Sequence, residues 1–271
     1  MKTKAKSVCH LIVCVVLFLA LNSTAVLAND SNKSRLVIFA ASSLKEVFTQ
    51  IAEDFKKQHT QVSLVFNFAG SQELRVQIEQ GAFADIVATA DQVHMQALVE
   101  QNLVLNPVVF AHNEPVLIVD QDTTPTIDNL LDLPALKRIV LGASVVPIGR
   151  YAEQILDRAE SIYGAGFKQR VMAHVISREL QVKQVVAKIL LKEAQAGIVY
   201  KTDALLLPKE VRMIAIDSRM NVESDYPIAI LKRTIKPQLA QAFVDELLSL
   251  RAQRHLALAG FKLSIKNSKK S

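Results

Sequence analysis

The feature that most constrains the fold is an alternation that runs from residue 35 to near the end of the chain. Short apolar runs alternate with longer segments in which apolar residues recur at steps of three and four. The short runs have the length of buried β-strands, and the longer segments have the period of amphipathic helices. We therefore predict an α/β protein built on mostly parallel sheets that are flanked by helices.

Three of the longer segments show the helical period most clearly. They run from Leu44 to Phe55, from Val182 to Leu190, and from Ala240 to Leu248, the last after the start signal Pro237. Helices fall between most of the predicted strands, which are Leu36–Ala40, Val62–Phe66, Asp85–Ala88, Val116–Val119, Ile139–Leu141, Ile198–Tyr200, Met213–Ile216 and Ile228–Leu231.

Residues 1–28 differ in character from the rest of the chain. Lys2, Lys4 and Lys6 precede an apolar run that begins at Leu11, and the segment closes on the small residue Ala28. This is the tripartite pattern of a secretory signal peptide, and the apolar run is shorter than the ~20 residues of a membrane-spanning helix. We predict export, with cleavage after Ala28.

Both cysteines, Cys9 and Cys14, lie inside the predicted signal. The mature chain would then have no thiol, and it could form neither a disulfide nor a thiolate metal site. Its 243 residues carry 29 basic and 26 acidic side chains, a formal charge of +3. So small a charge gives little support to nucleic-acid binding, which usually shows a concentrated basic face.

The mature length suits one large domain or two lobes of roughly 120 residues each. No Pro- or Gly-rich linker divides the chain, so two lobes would require it to cross at ordinary strand-like segments. We place the crossings near Phe110–Asn113 and Glu223–Tyr226. Residues 29–111 and 224–271 would form lobe I, and residues 112–223 would form lobe II.

Recognisable enzyme motifs are missing from the sequence. It has no G-x-S-x-G elbow, no phosphate loop of the G-x-x-x-x-G-K-[ST] type and no H-E-x-x-H metal motif. The histidines outside the signal show no helical ligand spacing: His59, His94, His112, His174 and His255. We therefore predict a protein that is not an enzyme and that has no cofactor and no direct protein ligands to a metal.

The informative places are those where a predicted strand ends and a helix begins. Exposed N–H groups and the helix dipole make such a place a ready anion site. Ser43 and Ser71 follow the first two strands in the small-residue turns A-A-S-S-L and F-A-G-S. Ile148 and Val182 lie at two later helix starts, and Tyr200 ends the buried strand G-I-V-Y.

Most of these residues also have a purely structural interpretation. Ser43 and Glu46 match a capping box, so Ser43 could serve only as a helix cap. The side chains of Val182 and Tyr200 suit a core, where the tyrosine hydroxyl would need a partner of its own. Arg150 is close to a candidate anion site, but the apolar stripe beside it indicates a surface position.

In order, these segments resemble the molybdate-binding proteins of ABC transporters, within the type II periplasmic binding-protein superfamily. The resemblance covers essentially the whole mature chain and includes L-V-I-F-A-A-S-S-L, F-A-G-S, A-D-I-V-A-T-A-D, V-P-I-G, G-I-V-Y-K-T-D-A and Y-P-I-A-I. It implies two α/β lobes that close by hinge motion around a ligand cleft. It also implies a periplasmic monomer that passes molybdate or tungstate to a permease and its ATPase subunit.

The resemblance further implies a set of neutral hydrogen-bond donors. They are the hydroxyls and main-chain N–H groups of Ser43 and Ser71, the main-chain N–H groups of Ile148 and Val182, and the phenol of Tyr200. Such dipoles replace the hydration shell of an oxyanion without a formal counter-charge. Selectivity should then follow cavity size, because sulfate is smaller than molybdate or tungstate and would leave donors out of reach. Each unmade hydrogen bond costs about 1–3 kcal/mol.

Two positions depart from the family pattern, and other functions stay open. The family usually has a small residue where Ile148 stands and frequently a Ser where Gly70 stands. The ligand could instead be sulfate, phosphate or ferric ion, although the tyrosines that ferric binders place side by side are scattered here. A secreted Ser-dependent hydrolase would need a base beside Ser43 or Ser71, and none is recognisable. An effector domain of a transcription regulator shares the fold class but does not fit an exported chain.

Overall fold

The computed structural model describes residues 34–207 and 209–264 of the 271-residue chain. The predicted signal peptide, which contains both cysteines, lies outside the described residues. Within the described ranges, no helix combines the length and the apolar character that crossing a membrane requires.

The described strands and helices follow the predicted alternation over most, but not all, of their length. The strands are β1 Ser34–Ala41, β2 Val62–Ala69, β3 Ile86–Ala88, β4 Val104–Asn113, β5 Pro115–Asp120, β6 Ile139–Gly142, β7 Val175–Glu179, β8 Ala196–Tyr200, β9 Val211–Ala215, β10 Ser224–Leu231 and β11 Lys262–Leu263. The helices are α1 Lys45–Gln58, α2 Ser71–Glu79, α3 Gln92–Glu100, α4 Pro147–Tyr163, α5 Phe167–Met172, α6 Val182–Leu190, α7 Lys201–Ala204, α8 Pro237–Leu248 and α9 Leu250–Leu258. Short 3₁₀ helices span Ser42–Leu44 and Leu130–Ala135.

The strands form two sheets. The first has the order β11-β4-β10-β3-β1-β2, and the second has the order β7-β6-β8-β5-β9. The chain leaves the first sheet after β4, with Glu114 alone between β4 and β5, and returns to it at β10. The proposed lobe boundaries at residues 111/112 and 223/224 stay a prediction.

The α/β class with two helix-flanked sheets is confirmed, but strand pairing is more mixed than the sequence pattern predicts. β1 is parallel to β2 and β3, and β6 is parallel to β7 and β8. β10 is antiparallel to β3 and β4, and β5 is antiparallel to β8 and β9. Parallel neighbours need a crossover of about a dozen residues or more. β5 and β10, which enter directly from the other sheet, both run antiparallel to their neighbours.

Helix α1 shows how the predicted periodicity positions one side of the first sheet. Its buried face is Val47, Phe48, Ile51, Ala52 and Phe55, as the sequence pattern predicts. The Phe48 and Phe55 rings pack edge to face against Phe243 of α8, with centroids 6.1 and 5.4 Å apart. Burial of each phenylalanine contributes roughly 1.5–3 kcal/mol. The packing holds the start of α1, and the 3₁₀ turn before it, at the carboxyl end of β1.

Candidate functional site

Segments from both sheets converge on one small cavity. Its volume is about 10 Å³, far below the range of about 300–1,000 Å³ that is usual for drug-sized ligands. A site this tight excludes a ligand of that size. The described lining residues carry no formal charge: Ala41, Ser42, Ser43, Ala69, Gly70, Ser71, Ala90, Val146, Pro147, Ile148, Gln181, Val182 and Tyr200.

The structure brings all five predicted donor residues into this lining. Ser43 and Ser71 follow strands of the first sheet, whereas Ile148, Val182 and Tyr200 belong to segments of the second. Each of the five is 5% exposed or less. Residues that are far apart in sequence therefore form one buried site.

Three helices point their first turns at the cavity. α2 begins at Ser71, α4 at Pro147 and α6 at Val182, and none of these three starts has a side-chain cap among the described residues. Pro147 occupies the first helical position, as its sequence context predicts. A first turn leaves amide hydrogens without intrahelical partners. The N–H groups of Ile148 and Val182 are thus placed to bind an anion, which the helix dipoles also favour.

Ser43 does not cap helix α1. The helix begins at Lys45 with no side-chain cap in the described part of the chain, and Ser43 Oγ lies 2.9 Å from Tyr226 Oη. Glu46, the other member of the predicted capping box, forms an ion pair with Lys183 at 2.9 Å. The capping prediction is therefore wrong. Ser43 instead bonds to a buried hydroxyl whose position depends on tertiary structure.

The Ser71 hydroxyl is also fixed by a hydrogen bond within the protein. Its Oγ accepts a hydrogen bond from the Ala90 N–H at 3.0 Å, and the Ala90 carbonyl accepts one from Ser224 Oγ at 2.8 Å. A serine hydroxyl has one hydrogen to donate, and the bond from Ala90 does not use it. The Ser71 O–H therefore stays available to a ligand in the cavity.

The Tyr200 hydroxyl differs from both serines. It is buried, and although the Ser224 side chain is close, no described residue meets hydrogen-bond geometry with it. Burial raises the pKa of the Tyr200 phenol well above its ordinary value, against a smaller lowering by Ser224, so the phenol keeps its proton at neutral pH. Leaving a buried hydroxyl unpaired costs about 1–3 kcal/mol. A polar atom of this kind, in the lining of a cavity, points to a ligand.

Arg150 does not line the cavity, and its side chain is only partly exposed. It is partly buried and forms an ion pair with Asp91, a residue that is 2% exposed. Asp91 also caps helix α3 by accepting the His94 N–H at 3.0 Å. The predicted surface position is therefore only partly right, because the acid that neutralises Arg150 follows a strand of the other sheet and lies far away in sequence. The positive charge of Arg150 is neutralised by Asp91, and neither residue lines the cavity, so the lining stays uncharged.

The site has two halves, one made by segments of the first sheet and one by segments of the second. Further contacts join these two halves at the rim of the cavity. His94 Nε2 lies 3.1 Å from the Val145 carbonyl oxygen, and Gln72 Nε2 donates to the Leu180 carbonyl at 2.7 Å. Burial lowers the pKa of His94, which favours its neutral form. Together with the Arg150 ion pair, these contacts hold the halves close around the site.

Gly70 lies at a close approach between the two halves. A Cβ at this position would lie 2.6 Å from the Leu180 carbonyl oxygen. Its backbone φ of −66° is ordinary, so space rather than backbone conformation requires glycine here. The serine that the resemblance leads one to expect would not fit while the halves are this close.

Sequence analysis missed the residues that hold the two serines. Asn113, Ser224 and Tyr226 are 1% exposed or less and lie on β4 and β10, the strands next to the two sheet changes. Their only sequence signal was a polar side chain beside an apolar run. Such a side chain predicts burial only when its partners are known.

Two helix-flanked sheets around a small, uncharged, donor-lined cavity define a two-lobed solute-binding protein. The chain belongs to the family of bacterial extracellular solute-binding proteins, whose family model matches residues 36–262.

Individual relatives and structures agree with this assignment. The chain is 36% identical to the molybdate-binding protein ModA of Mycobacterium tuberculosis, over 83% of this chain and 84% of that one. It is 32% identical to ModA of Haemophilus influenzae, over 73% and 79% of the two chains.

Two solved structures share the fold at lower identity. The periplasmic molybdate-binding protein of Azotobacter vinelandii superposes with a TM-score of 0.74 at 19% identity, covering 85% of this chain and 100% of that one. The sulfate-binding protein SubI of Mycobacterium tuberculosis superposes with a TM-score of 0.76 at 15% identity, covering 85% and 87%. Because these two proteins are a molybdate binder and a sulfate binder, the fold alone does not select the oxyanion.

Proposed function

We propose that this protein is an exported receptor that binds molybdate and delivers it to an ABC importer. The observation that carries the proposal is the buried Tyr200 hydroxyl, which lines an uncharged cavity and lacks a partner among the described residues. The two ModA relatives, at 36% and 32% identity, support molybdate as the oxyanion. Tungstate is included because it is near-equal to molybdate in size.

The chemistry of the lining suits a tetrahedral dianion. Ser43 and Ser71 would contribute hydroxyls and N–H groups, Ile148 and Val182 backbone N–H groups, and Tyr200 its phenol. Hydrogen bonds to a charged acceptor are worth about 1.5–3 kcal/mol each. Several of them can therefore hold a desolvated dianion without a counter-ion, and release needs only that the two halves separate.

A ferric site is a specific alternative, because three tyrosines that are scattered in sequence come together in the structure. The Tyr200 ring lies 5.8 Å from Tyr226 and 6.5 Å from Tyr151, centroid to centroid. Ferric ion would require phenolates. Burial raises the pKa of all three phenols, to about 12 for Tyr151 and well above the ordinary value for the other two. Of the described residues that line the cavity, Tyr200 alone is a tyrosine, so a neutral donor site is favoured.

A Ser-dependent hydrolase gains no support from the site. Among the described residues, the Ser43 hydroxyl bonds to the Tyr226 hydroxyl, and the Ser71 hydroxyl bonds to the Ala90 N–H. Burial raises the pKa of the Tyr226 phenol, which therefore keeps its proton, and an amide N–H only donates, so neither group can take a proton from a serine. The named relatives are solute-binding proteins. The proposal accordingly includes no catalysis, no cofactor and no direct protein ligand to molybdenum.

The protein's expected location is the periplasm, and its expected partners are membrane proteins. Cleavage after Ala28 would release a periplasmic monomer, and its partners would be a membrane permease and the ATPase subunit that drives it. Nucleic acid is not among the expected partners, because the mature chain carries a formal charge of only +3.

The test is calorimetric titration of the exported protein with molybdate, tungstate, sulfate and phosphate. We expect the first two to bind at least about a hundredfold more tightly than the last two, a gap of about 2.7 kcal/mol. Intact mass should show a chain that begins at Asn29. Equal binding of sulfate would assign the site to a smaller oxyanion, and no binding of any of the four would refute an oxyanion receptor.

A further inference from the structure

A chain of buried hydrogen bonds runs from the end of β4 to the cavity. The Asn113 side-chain NH₂ donates to Thr202 Oγ1 at 2.9 Å and to Tyr226 Oη at 3.5 Å. Tyr226 Oη in turn lies 2.9 Å from Ser43 Oγ, and Ser43 lines the cavity. All four of these side chains belong to residues that are 5% exposed or less.

The direction of the chain follows from the chemistry of its first member. The Glu114 N–H donates to Asn113 Oδ1 at 2.9 Å, which fixes the orientation of the amide and directs its NH₂ toward Thr202 and Tyr226. An NH₂ group donates and does not accept. Of the two groups that bond to Tyr226 Oη, Ser43 Oγ alone can therefore accept the phenol proton.

If the hydrogen bond ran from Ser43 to Tyr226, the Tyr226 hydroxyl hydrogen would have no acceptor. If Ser43 donated to Tyr226, the phenol hydrogen of Tyr226 would face only the amide of Asn113, in a residue that is 0% exposed. A buried donor without an acceptor is strongly disfavoured. Tyr226 therefore donates to Ser43, and the Ser43 proton is free to point into the cavity.

We propose that Tyr226 is a positioning residue, oriented by Asn113, that fixes Ser43 as a hydrogen-bond donor to the bound oxyanion. This inference rests on the proposed function. Ser43 would then resemble Ser71, whose Oγ accepts from the Ala90 N–H: the oxygen of each serine accepts a hydrogen bond from the protein, and its hydroxyl hydrogen can donate to the ligand. The two serines thus present protons to the cavity before the ligand arrives, and neither has to reorient on binding.

A double-mutant cycle separates positioning from general structural support, with molybdate as the titrant. Tyr226→Phe should weaken binding about fivefold to tenfold when Ser43 is present, because Ser43 is no longer held as a donor. In a Ser43→Ala background the same change should alter affinity less than about twofold, since the group it positions is gone. A residue that only supports the fold would lower affinity equally in both backgrounds.

Controls keep the outcomes distinct. Tyr163→Phe removes a phenol outside the lining and should bind like the parent, and circular dichroism should show every variant folded. If Tyr226→Phe does not fold, Asn113→Ala tests the same chain one step earlier, with a loss of about twofold to threefold that again depends on Ser43. Failure of the parent to bind molybdate overturns the proposed function and this role with it. Binding by the parent, with equal loss in both backgrounds, overturns the positioning role alone.

Discussion

The two halves of the site hold their donors in different ways. In the half from the first sheet, the hydroxyls of Ser43 and Ser71 are each bonded to a buried protein group, Tyr226 and the Ala90 N–H. In the half from the second sheet, the N–H groups of Ile148 and Val182 lie at uncapped helix starts. The phenol of that half has no partner among the described residues.

This difference separates donors that the fold already uses from donors that it leaves for the ligand. A hydroxyl within a hydrogen-bond chain contributes to folding as well as binding, so its loss should affect both. A buried hydroxyl without a partner contributes only to binding, and it lowers the stability of the ligand-free protein. Backbone donors depend on helix geometry and not on side-chain identity. The following four substitutions test these distinctions in order of expected effect.

Ile148→Pro should have the largest effect on molybdate binding, a loss of more than about a hundredfold. It deletes the N–H donor at the start of α4 and disfavours helical backbone at Pro147, the residue before it. Calorimetry measures the loss, and circular dichroism confirms the fold. Binding close to that of the parent would show that this helix start does not contact the ligand.

Tyr200→Phe should weaken molybdate binding about tenfold to a hundredfold, since the lost hydrogen bond is to a charged acceptor in a closed site. Without ligand, its unfolding temperature should equal or exceed that of the parent, because a buried unpaired hydroxyl has been removed. The pair of measurements is calorimetry with molybdate and thermal unfolding without it. A marked loss of ligand-free stability would mean that the hydroxyl bonds within the protein.

Ser43→Ala should weaken molybdate binding by roughly tenfold and, in contrast, lower the stability of the ligand-free protein. It leaves the buried Tyr226 hydroxyl without its acceptor, at a cost of about 1–3 kcal/mol. Thermal unfolding of Ser43→Ala beside Tyr200→Phe compares the two halves directly. If the two variants shift unfolding in the same direction, the contrast between the halves does not hold.

Ile148→Ala should have the smallest effect, less than about threefold on molybdate affinity. It keeps the N–H and removes only side-chain atoms, so any change in oxyanion preference reflects the shape of the cavity. Its stability should fall by about 2–5 kcal/mol, because Ile148 is 1% exposed and the substitution removes buried methyl groups. Calorimetry beside Ile148→Pro makes a matched pair at one position. A loss as large as that of the proline variant would mean that the side chain itself shapes the site.

Some of the fold lay beyond sequence patterns for identifiable reasons. β7 pairs only with β6 at one edge of the second sheet, and its exposed Ile176 gives no clear apolar alternation. β4 contains Pro107 and a largely exposed first half, which weakens a strand signal. The partner of Arg150 and the clash that requires Gly70 both arise where the two sheets approach each other, which no local pattern records.

The sequence by itself determined the α/β alternation, the buried face of α1, and the strand-to-helix turns that supply Ser43, Ser71, Ile148, Val182 and Tyr200. Those features are local, because apolar periodicity and helix-start chemistry act over a few residues. Only the tertiary structure decided that Ser43 bonds to Tyr226 and that the Tyr200 hydroxyl is left without a partner among the described residues. The physical reason is that the environment of a buried polar group depends on atoms from segments that are distant in sequence. Such segments meet only when the two sheets have packed.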